Sequence, residues 1–156
     1  MRDWAFPGFI ASLVLAHLVL HLALGIGTAA PDLLTVALLL SARRTSGTSA
    51  AVLGFVLGLL DGAGSLSGFG AAAVALTLLG YLGARSRELF EGESVIFAAV
   101  YLFLGKWLRD AMVAVLAPET IRGGLVATLA VEAPVAAAYA AVIGAVALMF
   151  FRAIER

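Results

Sequence analysis

Apolar residues fill most of the chain in long blocks, separated by short polar or glycine-rich breaks, and few blocks show a polar face. Blocks of this kind predict six helices, over residues 5–25, 31–42, 48–61, 66–83, 94–117 and 120–151. A helix that is hydrophobic all round is either buried in protein or surrounded by lipid. Pro31 fits the first turn of helix 2, where its missing N–H is not needed, and Asp32 beside it suits the positive end of the helix dipole. Helices 2 and 3 are short. Each spans roughly 20 Å against a hydrocarbon core of about 30 Å, which makes them thin or broken spans.

Composition decides between the two environments. With 63% hydrophobic and 13% charged residues, and a mean hydropathy of +1.08, a water-exposed fold would carry apolar patches far larger than soluble monomers tolerate. The expected fold is therefore an all-α integral membrane protein with six transmembrane helices, forming a single transmembrane domain over residues 1–156. These residues supply several crossings and little soluble mass. Cysteine is absent, which excludes disulfides, thiolate metal sites and thiol redox chemistry within the chain. A net charge of zero gives no basic field for nucleic acid. The first hydrophobic block lacks a small-residue cleavage pattern near its end and reads as a retained helix.

Charge placement tests the helix count independently. Six crossings put both termini, the loop between helices 2 and 3 and the loop between helices 4 and 5 on one side. That side holds Arg2, Arg43, Arg44, Arg85, Arg87, Arg152 and Arg156, whereas the other has only Arg122. Basic residues flanking spans stay in the cytoplasm, so both termini are expected there and the protein in a bacterial inner membrane. A re-entrant pair formed by helices 2 and 3 would instead drive Arg43 and Arg44 into the bilayer. Glu88, Glu91 and Glu93 share the 4–5 loop with Arg85 and Arg87 and read as a solvated connector.

Charged groups at bilayer depth cost at least about 2.5–3.5 kcal/mol each, so each one needs a partner or a purpose. His17 and His21 lie four residues apart on one face of helix 1. They read as neutral, hydrogen-bonded histidines. A metal would need further ligands, and neither cysteine nor an HExxH pattern offers them. Helix 5 carries Lys106, Arg109 and Asp110, and helix 6 carries Glu132 just before Pro134, which should bend it. Lys106 and Glu132 are equidistant in sequence from Glu119 in the intervening PET turn, so an antiparallel hairpin predicts a Lys106–Glu132 ion pair. Asp110, at i+4 from Lys106, competes for it. These charges either satisfy one another or form a polar seam for a partner or substrate.

Six glycines and one aspartate fall within Gly54–Gly70. Gly54, Gly58 and Gly62 repeat a GxxxG spacing that lets helix backbones approach closely in lipid, where packing replaces the hydrophobic effect. Asp61 ends this helix, either as an interfacial acid facing water or as a contact for a partner.

APDLL at 30–34, GFVLGLLDG at 54–62, GFG at 68–70 and LLGYLGA at 78–84 together resemble the rod shape-determining membrane protein family MreD. The resemblance implies a non-enzymatic scaffold of the cell-elongation machinery. Such a protein would bind an MreC-like single-span membrane partner. It would act with the RodA glycosyltransferase, a class B penicillin-binding protein and cytoplasmic MreB filaments in lateral peptidoglycan synthesis. It implies no cofactor and no catalytic residue, and the sequence carries no paired nucleophile and base at equal depth. A competing reading is the substrate-binding membrane subunit of a vitamin transporter of the energy-coupling-factor type. Short helices with clustered ionisable residues would suit a pocket there.

Overall fold

The computed structural model describes residues 4–23, 31–63, 69–87, 94–116 and 128–155, and all regular structure among them is helical. In chain order the helices are α1 (Ala5–Leu18), α2 (Leu33–Ala42), α3 (Gly47–Ala63), α4 (Phe69–Arg85), α5 (Val95–Leu116) and α6 (Ala133–Glu155). A π-helical turn, Val19–Ala23, continues α1, and another, Thr128–Glu132, leads into α6. The connector with Glu88, Glu91 and Glu93, and the turn with Glu119 and Arg122, lie outside the described residues.

Local chemistry sets the helix ends. Asp32 is the N-cap of α2, accepting from the Thr35 N–H at 3.0 Å and the Thr35 hydroxyl at 2.7 Å. The carboxylate can satisfy that orphan donor only from the cap position, so Pro31 sits before the helix and not in its first turn. Ser46 accepts from the Ser49 N–H at 3.2 Å, and Ser94 from the Ile96 N–H at 3.2 Å, at the starts of α3 and α5. Helix α3 runs to Ala63, past the expected end at Asp61. Pro134 has no N–H to give to a helical hydrogen bond, and the π turn Thr128–Glu132 lies just ahead of it.

Helix α2 is the centre of the bundle. All ten of its residues are buried, and it packs against α1, α3, α4, α5 and α6. At about 15 Å it is too short to cross a bilayer by itself. It has no lipid-facing side, which accounts for a sequence that is apolar all round. Tyr101 on α5 donates its hydroxyl to the Leu39 carbonyl at 3.2 Å, pinning α2 to α5. Among the described residues, Leu129–Ile154, with mean hydropathy 2.1, is the one stretch both long and apolar enough to cross a membrane unaided.

The helices alternate in direction. At one end Arg44 lies 3.8 Å over the Phe6 ring, and Phe151 stacks on Phe9 at 4.6 Å. Arg43 approaches Tyr101 and Arg85 approaches Tyr81 at the same end. The start of α1 therefore meets the ends of α2 and α6, and Gly47 at the start of α3 meets Tyr81 near the end of α4. Of the arginines that the sequence assigned to one side, Arg43, Arg44 and Arg85 gather at one end of the bundle.

Helices α3 and α4 form an antiparallel hairpin of very close approach, and the glycine stripe lies within it. A Cβ at Gly54 would strike the Leu76 carbonyl, and one at Gly58 would lie 2.5 Å from the Ala73 Cα. From the other side, Gly80 faces the Ala50 carbonyl. The stripe's neighbour is thus a helix of the same chain. Gly54→Leu or Gly58→Leu should splay the hairpin, lowering stability by about 1–3 kcal/mol or more. Thermal unfolding in detergent would show this as a drop of several degrees, and an unchanged melting temperature would contradict the packing described.

Candidate functional site

Opposite the arginine end, the helices bring their intramembrane charges to one level. At about 1.5 Å per residue, His17 lies ~18 Å along α1, Asp61 ~21 Å along α3 and Arg109 ~21 Å along α5, while Asp32 lies ~15 Å from the far end of α2. Sequence positions spread over most of the chain thus converge because the helices alternate and share a common base.

Arg109 is the hub. Its guanidinium hydrogen-bonds Asp61 on α3, donates to Asp110 at 3.1 Å and lies 3.7 Å from Asp32 at the head of α2. Lys106, one turn earlier and buried, reaches both Asp110 oxygens at 2.5 Å and Asp32 at 3.5 Å. The expected Lys106–Glu132 pair is therefore corrected: Lys106 takes the competing partner Asp110, adjacent on its own helix face, together with Asp32. Glu132 is exposed on the rim of the same site, and the π turn holds it there with Trp107 donating to the Leu129 carbonyl at 3.2 Å.

Asp61 is partly buried, its side chain 21% exposed. It sits in the last turn of α3, paired with Arg109, with His17 Nε2 at 4.0 Å. The His17 and His21 rings stack with centroids 3.9 Å apart, and His21 Nδ1 donates to the His17 carbonyl at 3.1 Å. Parallel rings direct their lone pairs alongside each other and not toward a common point, so the pair as arranged is not a chelate. No group of three or more His, Asp or Glu among the described residues is arranged to hold a metal ion. The π turn Val19–Ala23 begins between the two histidines.

A cavity of about 690 Å³ opens at this level, lined by His17, His21, Asp32, Asp61, Lys106 and Arg109 on its polar side. Val131, Val135 and Tyr139 of the α6 region form the apolar side. Two buried polar atoms here have no hydrogen-bond partner among the described residues, His17 Nδ1 and Arg109 Nε. The backbone at Pro31–Asp32 is non-helical, a form tolerated at bilayer depth where it borders protein or a cavity.

Of the residues singled out in the sequence, His17, His21, Asp61, Lys106, Arg109 and Asp110 cluster, with Glu132 at the rim. Gly54 and Gly58 belong to the hairpin instead, and Gly62 is buried beside Asp61. Asp32 is central to the site but was assigned only to the helix dipole. Its signal was Asp-Leu-Leu-Thr, an N-cap spacing at the head of an entirely apolar helix.

Arg109→Met should leave Asp61 and Asp32 without their main counter-charge, costing about 3–5 kcal/mol. Removing the acid as well, in Arg109→Met/Asp61→Leu, should recover part of that loss. Glu132→Gln, at an exposed position, should change stability by less than about 0.5 kcal/mol. Thermal unfolding of the four proteins in detergent checks the order, and equal stabilities for single and double variants would refute the pairing.

The family model for rod shape-determining protein MreD matches residues 4–117, which span α1 to α5 and every clustered charge except the rim residue Glu132. No curated protein and no solved structure matches the chain. With nearly three-quarters of its length matched, the chain belongs to the MreD family of rod shape-determining membrane proteins.

Proposed function

We propose that this protein is a non-enzymatic, six-span scaffold of the cell-elongation complex in a bacterial inner membrane, with both termini in the cytoplasm. It forms a single transmembrane domain and binds an MreC-like single-span protein. Through that partner it acts with RodA and a class B penicillin-binding protein to help regulate lateral peptidoglycan synthesis and cell shape. The observation that carries this reading is the family match, which covers the whole paired-charge core. Two features support the finer points. The gathering of Arg43, Arg44 and Arg85 at one end agrees with a cytoplasmic face there. The clustered charges are spent mainly on one another, as in a structural core, and are not set out as nucleophile, base and oxyanion donors.

The cavity favours a second reading, a substrate-binding membrane subunit of a vitamin transporter of the energy-coupling-factor type. Its volume and mixed lining suit a small ligand. Native mass spectrometry of the purified protein with vitamins would reveal a bound mass in that case.

Tagged protein solubilised from its native membranes in mild detergent should recover the MreC-like partner, and recovery of no single-span protein would sink the scaffold reading. Topology is open to the same preparation because the chain has no cysteine. Single cysteines at Ser46 and Glu132 should be labelled by membrane-impermeant maleimide from opposite sides, Ser46 only after inner-membrane vesicles are inverted. Labelling of both from one side would overturn the six-span arrangement.

A further inference from the structure

Helices α1 and α6 meet at the arginine end, where Phe151 packs against Phe6 and Phe9, and pack little elsewhere along their lengths. The cavity lies at the opposite end, and the wall that the α6 region gives it is apolar and exposed: Val131 is 61% exposed, Val135 67% and Tyr139 47%. It is therefore a cleft with an exposed apolar wall and a charged floor.

The floor is not neutral. Among the described residues, the three carboxylates of Asp32, Asp61 and Asp110 are met by the two cations Lys106 and Arg109, with the His17 ring 4.0 Å from Asp61. An excess of negative charge held at bilayer depth calls for a cation from outside the cluster. His17 Nδ1, without a hydrogen-bond partner among the described residues and on a side chain only 5% exposed, lines the same space and can accept a hydrogen bond from it. A phospholipid headgroup would bring its phosphate against the carboxylates. An entering Lys or Arg on a transmembrane helix meets the floor with the opposite charge and the rim with an apolar surface.

We propose that the α1–α6 cleft seats the transmembrane helix of the single-span partner and that a lysine or arginine of that helix enters the cavity, facing Asp61, Asp32 and His17. This rests on the scaffold reading above and specifies its interface. It places the partner's basic residue about 15–20 Å from the arginine end, toward the extracytoplasmic half of the span, where basic residues are uncommon in single-span helices. The interface is the α1–α6 face and not the glycine-striped α3, which is already occupied by α4.

The absence of native cysteine makes the test direct. In membranes holding the full chain and its MreC-like partner, a benzophenone maleimide is placed on Val135→Cys at the rim or on Val74→Cys on the outer face of α4. The expected result is a partner adduct from position 135 and none from 74, mapping within one helical turn of a Lys or Arg. Replacing that residue with Gln in the partner should lower adduct yield at least about tenfold, as expected when a buried charge pair is broken. An adduct from 74 alone, or one at 135 that maps to no basic residue, overturns the inference. Lipid adducts alone at 135, with the partner still copurifying, assign the cleft to lipid and overturn it while leaving the scaffold reading intact. An unchanged yield after neutralising the partner's base assigns the cavity to another cation, this chain's own Arg122 included, and also overturns it. Failure of the partner to copurify at all strikes the scaffold reading itself.

Discussion

The bundle depends on one guanidinium. Arg109 sits where water is scarce, and it is tolerable there because carboxylates from α2, α3 and its own helix converge on it. Each of those carboxylates has the same requirement in reverse. The register of three helices is thereby coupled, since sliding any one by a turn would move its charge about 5 Å and leave an uncompensated ion in a low-dielectric setting. Lys106 doubles the coupling between α5 and the head of α2.

Apolar packing cannot impose such a register in a membrane, because side chains lose little by exchanging protein for lipid tails. What it does here is bring backbones together. The hairpin of α3 and α4 closes through Gly54, Gly58 and Gly80, each facing main-chain atoms of the opposing helix. Helix α2 does the complementary job, filling the centre with Leu34, Leu38 and Leu39, all essentially inaccessible. Contact geometry fixes how close the helices come, and charge fixes their relative height.

The two ends of the molecule differ in kind. At one, arginines lie over aromatic rings, a combination suited to an interface with charged headgroups. At the other, an acidic cavity lies open between α1 and α6, with polar atoms that no described residue satisfies. Such groups carry a cost unless something completes them. For a shape-determining membrane protein whose proposed role is to hold partners, an incomplete polar site in a lateral cleft is a natural point of specificity, because it rejects a plain apolar helix and accepts a matching one.

The sequence by itself determined the class of fold, the number and order of helices, the grouping of arginines and the family. Each follows from signals local to a few residues: apolar blocks, caps, glycine spacing and the APDLL and GFVLGLLDG motifs. It also identified most of the clustered charges, since an ionisable residue inside an apolar block stands out. It did not determine how they pair. Equal spacing from a turn brings Lys106 and Glu132 to the same depth but leaves the facing of each helix undecided, and facing sends Lys106 to Asp110 and Asp32. Nor could it show that α3's glycines are met by α4, or that Asp32 is more than a helix cap. Those outcomes depend on which faces meet across the bundle. In lipid this is set by close packing and charge compensation between segments far apart in the chain, and only the tertiary structure decides it.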